Sequence, residues 1–396
     1  MNFFMILYLS HFREDKMENK FRKVSILKGL GIIAVVLGHV GFPYSNVIYM
    51  YHMALFFFIS GYLYNENNEK NIFKYIIKKI KSLYIPFILF ELLFVFLRNI
   101  LIDLHIYDDF HLSKITSFGD CIPIVKNIIT FNFTGDSMLG AIWFIRALFY
   151  VTILYALFNI IYKKLDSKEN YYLKTFIIIT LAVVAHDLLG KGYNPSILIN
   201  PNQYKVPKLF IDFIDARNFI FMSIYYIGTL YRKFEKKIPM NIYLAIIGLF
   251  GIYYNSRIGV IDVASYTFTS PIFFITSALL GIYLNLYIVH IICNSILKFK
   301  LIEKMGEFSI YIMIYHFVSI KFLDIAIVHI MNLPLNLIGI FPYSFKIKYM
   351  WVIYTLVGTL VPITIAFILE YLKKTFKNFF KKIKDNKLTE QNLNVA

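Results

Sequence analysis

A chain of 396 residues is long enough for two soluble domains, but 58% of this one is hydrophobic and its mean hydropathy is +0.62, which excludes an ordinary soluble fold. The formal net charge of +17 would suggest nucleic acid in a soluble protein. Here the basic residues stand in short clusters between apolar runs of about 20 residues, the length that spans a bilayer, so they report topology and no nucleic-acid partner is expected.

Residues 1–23 are expected to form a cytoplasmic N-terminal segment. Its first residues are apolar but too few to span, no small-residue cleavage site precedes Arg13, and Met17 offers a second start before Lys20, Arg22 and Lys23. A transmembrane domain over 24–372 follows, with apolar segments at 24–42, 46–64, 83–102, 139–162, 171–188, 209–231, 239–255, 271–297, 308–330 and 349–372. The run at 258–263 is too short to be another. Pro86, Pro239 and Pro271 fall near helix starts, where a missing amide donor costs little, whereas Pro362 lies inside the last span and should kink it. Residues 373–396 read as a basic cytoplasmic tail, amphipathic or disordered. The two cysteines, Cys121 and Cys293, fall on opposite predicted faces and give neither a disulfide framework nor a metal-binding pattern, so no metal site is expected.

Orientation follows from charge, because Lys and Arg are retained on the cytoplasmic side. Alternate connections and the two ends collect 28 of the Lys and Arg residues, against eight on the other side, and both termini are therefore placed in the cytoplasm. The expected fold is an all-α, polytopic integral membrane bundle of about ten transmembrane helices, multi-pass in the cell membrane. Five basic residues, Lys28, Arg98, Arg146, Arg217 and Lys321, remain inside the segments themselves and need a physical reason.

An ionisable side chain in hydrocarbon is costly unless it faces a polar interior, which makes such residues functional candidates. In the first segment Lys28 and His39 are separated by about three helical turns, on nearly one face and about 16 Å apart along the axis. Lys28 could instead snorkel to the interface, and His39 could merely bond a neighbouring carbonyl. The next segment, NVIYMYHMALFFFISGYLYN, brings His52 back to a similar depth after a tight GFPYS turn. Further along, Lys78 and Lys81 precede Pro86 in KKIKSLYIP, as either donor-phosphate ligands or plain topology residues. Trp143 and Arg146 lie in AIWFIRALFY, and Asp212, Asp215 and Arg217 fall in the outer half of their segment. They could line a polar chamber or pair with one another. His316 closes the motif MGEFSIYIMIYHF.

With Lys28, His39, Tyr51, His52, Met53, Leu55, Phe56, Phe57, Ser60, Gly61 and Tyr62 in this order, the chain resembles the acyltransferase-3 family of integral membrane acyltransferases, in particular its fucose 4-O-acetylase-like members. Ala54 stands where a proline is frequent in that family. Trp143, Phe144 and Leu148, and then Gly306, Ser309, Tyr311 and His316, are similar to two later family segments. The resemblance implies an O-acyltransferase that uses a cytoplasmic acyl-CoA, acetyl-CoA first, as co-substrate with no permanently bound cofactor. Its acceptor would be a hydroxyl of a surface polysaccharide, glycolipid or exported glycoconjugate. His39, His52 and Arg146 become the catalytic candidates, with Lys28, Lys78 and Lys81 for the donor. Trp143, Asp212, Asp215, Arg217 and His316 are the candidates for the acceptor. A transporter or flippase for a lipid-linked sugar is the rival reading, because charged groups within a helical bundle suit that task too.

Overall fold

The computed structural model describes residues 3–108, 112–132, 135–166, 168–190, 213–297 and 299–393. Helix α1 (Phe3–His39) runs without a break past residue 23 into the first apolar segment. Two short helices follow, α2 (Ser45–Tyr49) and α3 (His52–Tyr62), then α4 (Ile72–Lys79), a π-helical turn (Ile80–Tyr84) and α5 (Ile85–Asp103). Helix α6 (Phe118–Ile129) precedes α7 (Trp143–Leu165) and α8 (Tyr171–Ala185). The second half comprises α9 (Ala216–Phe234), α10 (Ile242–Ile258), α11 (Pro271–Asn294), α12 (Lys300–Glu307), α13 (Ser309–Ile330) and α14 (Met350–Leu393). A small antiparallel hairpin, β1 (Ile261–Asp262) and β2 (Thr267–Phe268), uses the run that is too short to span. Among the described residues six helical stretches are long and apolar enough to cross a membrane, against ten segments drawn from sequence.

Local chemistry sets the helix starts. Asn170, Asp215, Asn241 and Ser270 each sit just before an apolar run and accept a backbone N–H of the first turn through the side chain. Pro271 then occupies the first position of α11, where its missing donor is harmless. Pro86 lies in the first turn of α5 and gives no N–H to the preceding turn, and the backbone just before it is wound as a π-helix. Pro362 lies inside α14 without ending it.

The segment at 46–64 departs from expectation, since it is not one helix but two, broken at Met50 and Tyr51. In a continuous helix the Ile48 carbonyl would accept the His52 amide; instead it accepts the His52 ring Nδ1–H at 2.9 Å and the Tyr51 amide at 3.2 Å. The side chain thus repairs the break its own backbone leaves. Such a break is tolerated at membrane depth only inside protein, and Met50, Tyr51 and His52 are all buried.

Helix α3 is the centre of the bundle, with nine of its eleven residues buried. It packs most extensively on α9 and also touches α1, α7 and α11. Glycines set the approach of α3 and α9: a Cβ on Gly61 would lie 1.8 Å from the Tyr225 carbonyl oxygen, and one on Gly228 would lie 2.1 Å from that of Phe58. The same device joins α1 to α12, where a Cβ on Gly306 would lie 1.7 Å from the Ser25 oxygen. Because these neighbours are backbone atoms, they cannot swing aside. Gly61→Ala should destabilise the folded chain by about 1–3 kcal/mol, read as a lower thermal midpoint in detergent, while Gly119→Ala, whose Cβ would meet only Ser117 Oγ at 3.5 Å, should leave it unchanged.

Candidate active site

Three histidines from three helices meet where α1 ends. The His39 ring stacks on His316 of α13 with centroids 5.5 Å apart and planes at 28°. Phe317 packs against both, 5.0 Å from His39 and 4.0 Å from His316. Tyr49 of α2 bridges to the third histidine, its ring 6.1 Å from His39 and 5.0 Å from His52, with its hydroxyl 3.4 Å from His39 Nδ1. His52 and His316 are 3% and 0% exposed, whereas His39 is half-buried, so His39 is the member of the group with surface left to meet a ligand.

The backbone fixes how two of these rings are protonated. His52 Nδ1–H donates to the Ile48 carbonyl, and His316 Nδ1–H donates to the Met313 carbonyl at 2.9 Å, with that of Ile312 at 3.1 Å. In the neutral ring each Nε2 then carries a lone pair. The buried Nε2 of His316 has no hydrogen-bond partner among the described residues, an omission that costs about 1–3 kcal/mol and leaves an acceptor open to a ligand. In the tautomer in which His39 Nδ1–H donates to the Tyr49 oxygen, His39 Nε2 is likewise a free acceptor.

The other sequence-predicted residues are distributed around this centre. Lys28 is half-buried on α1, makes no hydrogen bond or ion pair among the described residues, and lies toward the Lys-rich end of the bundle. Lys78 and Lys81 are exposed; it is Lys79, between them, whose ammonium packs on a ring, 5.3 Å from the centre of Tyr75. Trp143, the first residue of α7, stacks 6.1 Å from Phe221, which in turn lies flat on Phe57 of α3 at 4.2 Å, an aromatic column of the core. Arg146 donates to the Phe131 carbonyl at 3.4 Å and makes no hydrogen bond to the histidines. Asp215 caps α9 and pairs with Arg217 at 3.0 Å, so these two satisfy each other. Asp212 lies outside the described residues.

The hairpin joins these outlying groups to the histidines. Arg217 lies 6.0 Å from the Tyr266 ring and reaches the Ala264 carbonyl, while the Tyr266 hydroxyl is 3.2 Å from His186 Nδ1. Burial and the Asp215 carboxylate hold the Tyr266 phenol above its ordinary pKa, so it stays protonated. On the adjoining strand, Asp262 is within electrostatic reach of Tyr49 and His52. Tyr49, Phe317 and Asp262 escape sequence reasoning. Only Tyr49 leaves a signal, being one turn before His52 in a polar-aromatic run.

A half-exposed imidazole backed by two buried ones is suited to taking a proton from a hydroxyl and returning it to a leaving group. Comparison with curated proteins and with solved structures finds no match. The family model described as an acyltransferase domain matches residues 21–371, which contain all three histidines, Lys28 and the hairpin. The chain belongs to the acyltransferase-3 family and is a multi-pass membrane acyltransferase whose transferred group is not an aminoacyl one.

Proposed function

We propose that the chain is an O-acyltransferase of the cell membrane that moves an acyl group, acetyl first, from acyl-CoA on the cytoplasmic side to a hydroxyl of a carbohydrate or glycoconjugate on the other. The observation that carries the reading is the group His39, His52, His316 and Tyr49, in which His39 alone of the three histidines combines ring contacts to its partners with a partly exposed surface. The acceptor hydroxyl gives its proton to His39 Nε2 as its oxygen bonds to the acyl carbon. The carbon–sulfur bond breaks, and the imidazolium returns the proton to the thiolate. Sequence points to Arg146 for the developing oxyanion; with its guanidinium engaged at Phe131, the hydroxyl that touches His39, Tyr49 Oη, is better placed for that task. Lys28, toward the other end of the same helix, would meet the donor. The hairpin, with Arg217 and Tyr266, supplies the polar and aromatic surface that a sugar takes.

His39→Ala should lower transfer by a factor of about 10²–10⁴ at normal protein levels, and His39→Gln should do the same although it keeps hydrogen-bonding capacity. His52→Ala should retain part of the rate. The assay is transfer of labelled acetyl from acetyl-CoA by purified enzyme in liposomes, and near-normal rates in both His39 variants would remove this residue from the chemistry.

Charge asymmetry puts Ser45 outside and Asn68 inside. Single cysteines at these positions, with Cys121 and Cys293 replaced, should react with an impermeant thiol reagent at Ser45 and not at Asn68. The reverse pattern would invert the reading of which side holds the donor.

Exchange of Lys78 and Lys81 for Gln separates the two roles considered for them. If their exposed ammonium groups meet the donor's phosphates, the apparent KM for acyl-CoA should rise several-fold while that for the acceptor stays put. An unchanged donor KM would leave them as topology residues.

A further inference from the structure

Among the five basic residues left inside the apolar segments, Lys321 has an environment unlike the rest. It lies on α13, little more than a turn beyond His316, and both it and Asp324, one turn on, are 0% exposed. The two side chains pair at 3.0 Å. Several further groups they bond belong to the connection between α13 and α14, residues 331–349. The Lys321 ammonium donates to the carbonyls of Ile338, at 2.9 Å, and Ile340. Asp324 Oδ2 accepts from the Ser344 hydroxyl at 2.8 Å and from its amide at 3.2 Å, while Oδ1 accepts from the Tyr354 hydroxyl of α14.

A buried ion pair is poor evidence for stability, because the cost of taking both charges out of water offsets their attraction. What it can do is impose one arrangement on the groups that must satisfy it. Here those groups are on a loop that packs beside the histidines through Phe317 and Gly41. Phe341 packs 4.9 Å from Phe317, the ring that touches both His39 and His316. Two residues on, Tyr343 sits over Gly41, whose positive φ of +74° ends the turn after α1, and lies 5.5 Å from Tyr354.

We infer that the Lys321–Asp324 pair is a positioning device that holds the 331–349 loop closed over the His39–His316 pair, keeping water from the acyl carbon while the acceptor hydroxyl is admitted. With the loop released, water replaces the acceptor: its oxygen bonds to the acyl carbon, the carbon–sulfur bond breaks, and the products are the free carboxylic acid and the thiol. The inference about closure stands on the contacts alone, and its consequence for water rests on the proposed acyl transfer.

Two variants separate loop release from misfolding. The double change Lys321→Met with Asp324→Asn removes both charges, so none is left buried alone. Ser344→Ala removes the hydroxyl tie to Asp324 from the loop side, keeps the backbone ties of Ser344, Ile338 and Ile340, and leaves α13 untouched. Loop position is read by an impermeant thiol reagent on Ile338→Cys, a site 1% exposed, with Cys121 and Cys293 replaced. Labelling should quicken about tenfold in the double variant and by a smaller factor in Ser344→Ala. In the enzyme without the reporter cysteine, the acceptor KM should rise and the ratio of acyl-CoA hydrolysis to transfer should climb by a similar factor, with the donor KM unchanged. Unchanged labelling in folded variants would show that the pair does not hold the loop. Quicker labelling with an unaltered hydrolysis ratio would show that the loop does not guard the site. Absence of transfer in the parent enzyme would count against the proposed function alone, since the labelling result reads closure without it.

Discussion

At Gly61 and Gly228 the backbones of α3 and α9 touch, leaving no room for even a methyl group, and the placement of α3, which carries His52 and packs on α1, α7 and α11, depends on that contact. Helices in hydrocarbon gain little from burying apolar surface against one another, so close backbone approach and internal polar satisfaction do the holding. With α3 fixed at the centre, its start must fit beside α11, where a Cβ on Gly281 would lie 2.3 Å from the Tyr51 side chain. The helix breaks at Met50 and Tyr51, and His52 turns its ring onto the Ile48 carbonyl the break leaves open. The break is thus also what brings α2 and Tyr49 beside His39.

Polar groups inside the bundle fall into two kinds. Lys321, Asp324, Ser344 and Tyr354 satisfy one another and the loop above them, as do Asp215 and Arg217 at the start of α9. The histidines differ, because His316 Nε2 has no partner among the described residues and His39 is partly exposed. In a medium where an unmet hydrogen-bonding group costs about 1–3 kcal/mol, a satisfied network is architecture and an unsatisfied one is where chemistry is sought.

Much of this was legible in the sequence, because its signals were large. Runs of apolar residues with Pro86 and Pro271 near their starts locate helix beginnings, and the isolated histidines mark a candidate site because hydrocarbon tolerates them so poorly. The pairing of His39 with His316 was not legible: 277 residues separate them, and only the packing of α1 on α13 brings the rings together. The break at Met50 was hidden because the apolar and aromatic composition there favours a continuous span. Of the two readings the sequence left open for the charged residues, pairing is the one seen for Asp215 and Arg217, while the bond of Arg146 to the Phe131 carbonyl, 15 residues away, leaves no signal in the sequence.

Mass spectrometry of surface glycans and glycolipids from cells with and without this gene tests acyl transfer to a carbohydrate most directly, because it reports the transferred group and its acceptor together. Loss of one ester-linked acyl group from one sugar, restored when the wild-type gene is returned, is the predicted result. Identical acylation in the two strains, with a lipid-linked sugar retained on the cytoplasmic leaflet when the gene is absent, would contradict it and favour translocation instead.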